Sequence, residues 1–238
     1  MSDSGLLRRV STGTFAMPAK AMTIEMELAA TPSRVPQQGR SRASYDRMIA
    51  AAEDLLRERG SDDFTLLEVS KAGKVSIGSI YNRFDSKDDL IRAVQGRVLL
   101  AVDKAQREVV DRAESQADDL RTLVPLIIDG IAECLHEHAD LMRPMMLRAG
   151  SDPIVLAAGK RSYMEVENLV CTALLAHRDE IKRPDPERAV ASAYRIAYSA
   201  IARALGFGAT PGNGVEGEWK VLKEDLGHMA SAYLRSAD

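Results

Sequence analysis

Between Gly60 and Asp89 this chain packs more helix start and stop signals than anywhere else, and they leave room only for short helices. Gly60 suits the left-handed residue that closes a helix. Before it, Met48, Ile49, Ala52, Leu55 and Leu56 recur at i, i+3/i+4, i+7 spacing and make one apolar stripe from Arg42 onward. Thr65 and Glu68 form a capping box, and Phe64 can staple onto Val69, which predicts a second helix over about Leu66 to Ala72. Ser76 then stands at an N-cap before Ile77-Gly78-Ser79-Ile80-Tyr81-Asn82-Arg83-Phe84. That third helix is barely two turns, with Ile80 and Phe84 as its buried edge. Ser86 and Asp89 make another capping box and open a long fourth helix through Leu90, Val94 and Val98. Short, short, short, long, each with its own caps, is a helix-turn-helix followed by a connecting helix.

The remaining chain reads as helix throughout. Spans are expected from near Ala117 to Glu137, around Leu141 to Arg148, and from Asp152-Pro153 to a stop before Pro184. Asp185-Pro186 repeats the N-cap and proline device and launches a helix to Leu205. A turn-rich Gly206 to Gly214 precedes a last helix over about Val215 to Leu234. With no strand pattern or internal repeat, the fold class is all-α. Only 5% of residues are aromatic, and Ala, Leu, Arg and Glu are plentiful, in keeping with helix. The most apolar stretch, Leu123 to Leu135, is broken by Pro125, Asp129 and Glu133 and is too short to span a bilayer. Two cysteines, Cys134 and Cys171, cannot make a disulfide framework, so a reducing cytoplasm is the expected location. Net charge is −3, and residues 1–92 hold 14 Lys/Arg against 13 Asp/Glu, so nucleic-acid binding has to rest on a motif rather than on bulk charge. Residues 1–40 mix Ser, Thr, Gly and Pro with Arg8, Arg9, Lys20, Arg34 and Arg40, and read as a flexible extension, a start upstream of the true one, or a DNA-contacting arm.

At the motif level, Val75-Ser76-x-Gly78-x-x-Tyr81-x-x-Phe84 followed by Ser86-Lys87-x-x-Leu90 resembles the DNA-binding domain of the tetracycline-repressor (TetR) family. Ile49-x-Ala51-Ala52-x-x-Leu55, Gly60 and Thr65-x-x-Glu68-Val69 agree upstream, so the resemblance covers residues 42–92. It implies a flexible extension at 1–40, a three-helix DNA-binding domain at 41–92, and a larger helical ligand-binding and dimerisation domain at 93–238. One departure stands out. The family usually has Ala-Gly at the turn between helices two and three, where this chain has Gly73-Lys74. If the second position needs positive φ, Lys74 is strained, unless Gly73 relocates the bend.

A recognition helix entering the major groove N-terminus first brings Ser76, Ile77, Gly78 and Ser79 to the bases. Gly78 allows close approach, Ile77 suits thymine methyls, and Ser79 and Asn82 can bond base edges. Tyr81 and Lys87 resemble the family's phosphate contacts, Thr65 offers its hydroxyl and helix-end N–H groups, and Lys74, Arg42 and Arg47 add sequence-blind attraction. Tyr81 packing on helix one, Ser76 as a cap only, and Lys74 and Arg47 on a solvated face are the plain alternatives. Useful specificity requires two copies on a palindromic operator with half-sites about 34 Å apart or a multiple of it. The expected dimer surface combines Ala189, Ala193, Ile196 and Ala200 with Trp219, Leu222, Leu226, Met229 and Tyr233 of the last helix, whose heptad-like seam begins at Val215. In this family the middle helices enclose an effector cavity. Its candidates here are Leu123, Ile127, Met142, Met145, Met146, Tyr163, Met164, Cys171, Tyr194 and Tyr198, suited to a small, mainly apolar molecule.

Other classes fare worse. Cys134, His136, His138 and Asp140 fall on two helix faces, short of the convergent ligands zinc takes, so no metal or cofactor is expected. No Ser/His/Asp order and no glycine-rich phosphate loop supports an enzyme. The expected function is a homodimeric regulator, a repressor released from its operator by a small molecule. The alternative is a helical protein-interaction module that has lost DNA binding, for which Gly73-Lys74 and the near-neutral N-terminal half speak.

Overall fold

The computed structural model describes residues 39–207 and 216–237. The expected extension lies outside them except for its last two residues, as do the segment 208–215 and Val215. Nine α-helices run in order among the described residues, with a single 3-10 turn at Arg178–Glu180 and no strand. They are α1 (Gly39–Arg59), α2 (Leu66–Ala72), α3 (Ile77–Tyr81), α4 (Lys87–Gln116), α5 (Leu120–Glu137), α6 (Ala139–Ala149), α7 (Pro153–Leu175), α8 (Pro186–Ala204) and α9 (Glu216–Arg235).

Local chemistry explains most boundaries. The Thr65 hydroxyl accepts from Glu68 N–H while the Glu68 carboxylate accepts from Thr65 N–H, completing the capping box of α2. Ser76, Ser86, Asp119, Asp152 and Asp185 each cap the helix that follows. Gly60 closes α1 at φ +64. Helix α1 starts at Gly39, inside the segment read as extension. The helix after Asp152 stops at Leu175, well short of Pro184, because the chain turns through the 3-10 segment.

Helices α1 to α3 close over a core of Met48, Ile49, Ala52, Leu56, Val69, Ile80 and Phe84, and Leu90 and Val94 of α4 join it. Beyond that point α4 packs on α5 and α7, and α9 packs most extensively on α5. Residues 92 and 93 lie inside α4, so one unbroken helix connects the N-terminal helices to the rest. Tyr45 stacks on Phe84 at 5.9 Å between ring centroids, which pins the end of α3 to α1.

Candidate nucleic-acid interface and internal cavity

The turn between α2 and α3 is held on both sides. Val75 N–H donates to Ser70 C=O (3.1 Å), and the Ser70 hydroxyl donates to Val75 C=O (2.6 Å). Within it Gly73 has φ −79° and Lys74 has φ +49°, so the left-handed residue is the lysine. Gly73 serves a different need. A Cβ there would lie 3.0 Å from Arg47 O and 3.1 Å from Val69 O, so only glycine lets α2 end this close to α1. The bend is therefore not relocated, and the strain falls on Lys74.

Helix α3 is anchored by Ile80 and Phe84, both fully buried, and turns its other side outward. Ser76 Oγ accepts from Ser79 N–H (3.1 Å) and bonds Ser79 Oγ (2.8 Å). Around Gly78 a Cβ would meet nothing within 4 Å, so this face is open. Asn82 is exposed and Tyr81 is 57% exposed, so Tyr81 does not pack on α1, whereas Ile77 is half-buried against the core. Arg42, Arg47 and Lys74 are exposed and, like Lys71 on α2, make no ion pair among the described residues. Two nearby cations are engaged within the chain. Arg97 grips Glu53 through two 2.8 Å bonds, and Arg59 holds Glu68 at 2.5 Å. Arg59, followed by the Thr65 N–H and hydroxyl, draws the Glu68 carboxyl down to about 2.

Two expected contacts have internal uses. Lys87 Nζ donates to Asp62 C=O (2.6 Å) and sits over the Phe64 ring, tying α4 to the loop before α2 instead of reaching out. The Thr65 hydroxyl is already shared with Glu68. Sequence reasoning also passed over Arg83, whose Nη2 donates to Ser41 C=O (2.9 Å) and Oγ (2.7 Å) and so joins the end of α3 to the start of α1.

A second feature went unseen because its members are far apart in sequence. Arg148, at the end of α6, contacts Asp62 (2.9 Å), Asp88 (2.7 Å) and Asp152 (3.6 Å). Arg92 of α4 contacts Asp152 (3.0 Å) and Asp89 (3.2 Å). Burial pushes the Asp152 carboxyl up, but Arg92 and the first N–H groups of α7 outweigh it, and the carboxyl ends below its ordinary range. The α6–α7 junction is thereby clamped to the loop before α2 and to the start of α4.

Directly behind that clamp lies an apolar cavity of about 220 Å³. Helix α4 contributes Gln95, Val98 and Leu99, and α6 contributes Met142, Met145, Met146 and Ala149. Helix α7 adds Val155, Leu156, Gly159, Lys160 and Tyr163, and α8 adds Tyr198. Five of the ten expected effector residues thus line it: Met142, Met145, Met146, Tyr163 and Tyr198. Tyr194 lies behind them, 6.1 Å from Tyr163 and 5.9 Å from Tyr198 between centroids, with its hydroxyl buried and unpartnered. Burial raises the Tyr198 hydroxyl to about 12 and pushes Tyr194 up further. Leu123 and Ile127 face the core of α5 and do not line the cavity, Met164 is exposed, and Cys171 packs half-buried against the core.

The α8 and α9 stripes divide in the same way. Ala189, Ala193 and Leu226 are buried within the chain's own core, while Ile196 and Met229 are each 65% exposed. Trp219 Nε1 donates to Glu133 of α5 (3.0 Å), Leu222 packs against the core, and Arg183 lies 4.7 Å over the Tyr233 ring. Ala200 is half-buried. Much of the expected dimer seam is therefore spent on α5, which α9 must cover to close the monomer. No three metal-ligating side chains converge among the described residues. His136 lies tilted against Trp219, with ring centroids 5.2 Å apart, and Cys134 is buried with Sγ 3.9 Å from Val102 O. No described helix is long and apolar enough to cross a membrane.

Residues 48–94 match the family described as bacterial regulatory proteins, tetR family. The fold is similar to solved structures at low identity. A protein described as a TetR-family transcriptional regulator from Mesorhizobium loti is 17% identical, over 82% of this chain and 98% of that one, with a TM-score of 0.67. The ketosteroid transcriptional regulator KstR2 of Mycobacterium tuberculosis is 17% identical over 85% and 100%, with a TM-score of 0.55. The fatty acid degradation regulator FadR from Bacillus halodurans is 17% identical over 84% and 99%, with a TM-score of 0.55. No curated protein matches the chain.

Proposed function

We propose that this chain, a TetR-family transcriptional regulator by its DNA-binding domain, works as a homodimeric repressor on a palindromic operator and is released by a small, mainly apolar effector. The observation that carries the DNA half is the open N-terminal face of α3, with Ser76, Gly78, Ser79 and Asn82 outward and unpaired cations Arg42, Arg47 and Lys74 on the same three-helix unit. Paired charges would have to break an internal contact before meeting a phosphate, and these need not. Tyr81 is free to join them. Lys87 contributes chiefly by holding Asp62, and Thr65 by capping α2.

The cavity supplies the control. Gln95, Val98 and Leu99 on its wall stand about one to two turns along α4 from Arg92, and about 14 Å of rigid helix separates Leu90 from Leu99. Met145, Met146 and Ala149 flank Arg148 on α6, and Val155 follows Asp152 on α7. A ligand that spreads these walls strains the clamp and moves α4, and with it α3. By linkage, whatever the ligand costs in operator affinity the operator costs in ligand affinity. Exposed Ile196 and Met229 serve the dimer, while the buried alanines of α8 serve the monomer. KstR2 and FadR, described as ketosteroid and fatty acid degradation regulators, fit an apolar effector here.

The test is anisotropy titration of the full chain against duplexes selected from a random palindromic pool, repeated across salt. Two chains per duplex and a steep linear fall of log affinity with log salt support the reading. Absence of any selected duplex would leave the protein-interaction module in its place. Native mass spectrometry of freshly purified protein checks the two-chain mass and any retained small molecule.

A further inference from the structure

Resting on the reading of the cavity as the effector site, we infer that its ligand is an organic acid: an apolar body inside and a carboxylate at the mouth, met by Lys160. Of all the residues that line the cavity, Lys160 alone is charged. Its neighbours one turn away on α7 are Leu156, Ala157, Tyr163 and Met164, so no acid on its own helix face neutralises it. Among the described residues it makes no ion pair with any other element either, although acids elsewhere on α7 are taken up, as Glu167 is by Arg195 at 2.6 Å. An exposed ammonium bordering an apolar hole favours a ligand that is negative at one end only.

The ring cluster in the cavity wall sets the orientation. Tyr163 and Tyr198 meet edge to face there, with centroids 4.8 Å apart, and Tyr194 lies behind. Beside that ring cluster the charged groups are the Glu167–Arg195 pair, already neutral in sum, so it offers an acid no net attraction. An acid group pointed inward would be desolvated with no free cation to meet it, whereas at Lys160 it stays hydrated and paired. The Gln95 amide is engaged, Nε2 donating to Val155 C=O (2.8 Å), so it offers that N–H to no ligand. The polar end therefore belongs at Lys160 and the hydrocarbon against the methionines and tyrosines. A cavity of about 220 Å³ exceeds the roughly 150 Å³ hole that takes up benzene, so a short alkyl chain fits.

Isothermal titration of the full chain with sodium octanoate and with 1-octanol tests this. The two probes share an apolar tail and differ in end-group charge. Octanoate is expected to bind about fivefold tighter, the size of a solvent-exposed ion pair, with the advantage shrinking in high salt. Lys160→Met is expected to abolish the difference by weakening octanoate binding, and Lys160→Arg is expected to keep it. Equal affinity of the two probes, unmoved by Lys160→Met, overturns the acid and leaves the cavity standing. Failure of both probes to bind, with Gly159→Leu equally silent, overturns the cavity as an effector site instead.

Discussion

Lys74 offers the sharpest test of how the helix-turn-helix is built. At φ +49° its Cβ crowds the backbone, and a left-handed non-glycine residue costs roughly 1–2 kcal/mol. Replacing it by glycine removes that strain but gives the unfolded chain more freedom, a loss of about 0.4–1 kcal/mol. Lys74→Gly should therefore stabilise the protein by about 0.5–1 kcal/mol. The exposed side chain has no partner whose loss would offset the gain. Urea unfolding of the full chain is the assay, with the midpoint rising and the m-value unchanged. Lys74→Gln is the control. It keeps the strain and drops the charge, so it should leave stability alone yet reduce the salt slope of DNA binding by about one counterion. Gly73→Ala should do the opposite of Lys74→Gly and cost about 1–3 kcal/mol, because the atoms its Cβ meets at 3.0 and 3.1 Å are backbone oxygens that cannot swing aside. If Lys74→Gly proves neutral or harmful while Gly73→Ala is tolerated, the assignment of strain and close approach within this turn is wrong.

Three further outcomes follow from the ion pairs and the exposed stripes. Arg148→Met should cost about 1–2 kcal/mol in urea unfolding, since Asp62 and Asp88 return to water and Asp152 keeps Arg92. Arg92→Met should cost more, about 2–3 kcal/mol, because Asp152, with a side chain only 2% exposed, is left with Arg148 at 3.6 Å; equal costs would contradict this geometry. Glu68 sits well below its ordinary value of 4.5, so its stabilising share is full above about pH 4.5 and is lost as pH falls toward 2; urea midpoints over that window should fall, and Glu68→Gln should flatten part of the slope. Ile196→Asp or Met229→Asp should dissociate the proposed dimer in sedimentation runs with the helical signal intact, whereas Ala193→Asp should unfold the monomer, burying a carboxylate where Ala193 is 6% exposed.

What could be read in advance was local. Thr65 with Glu68, Ser76, Ser86 and the two Asp-Pro pairs act within one turn of themselves, so their caps were legible as residues and are present in the fold. The outward side of α3 followed from Ile80 and Phe84 facing the other way. What failed to show in the sequence is which partner an apolar stripe meets. Trp219 and Leu226 recur at the same spacing whether they cover α5 of the same chain or a second copy, and Ala189 and Ala193 suit close packing in either case. Leu123 and Ile127 differ from Met145 and Met146 by nothing a single sequence carries, yet the first two are core and the others line a hole. The Arg148 clamp joins positions 62, 88, 92 and 152, separations at which no periodicity operates.

The strength of that clamp fits the task proposed for it. Couplings between two sites in one protein usually amount to about 1–3 kcal/mol. Arg148 is 19% exposed and two of its three partners are partly hydrated, which puts its grip at about 1–2 kcal/mol rather than the larger cost of breaking a fully buried pair. A ligand filling an apolar cavity gains about 25 cal/mol for each Å² it takes from water, so burying about 100 Å² of hydrocarbon already exceeds that grip. An anchor of several buried ion pairs would hold α4 against any ligand of this size. A wholly exposed one would transmit nothing. The intermediate burial of Arg148, between the cavity wall at Ala149 and its partners Asp62 before α2 and Asp88 at the start of α4, is the condition under which the proposed small molecule would move the reading helix.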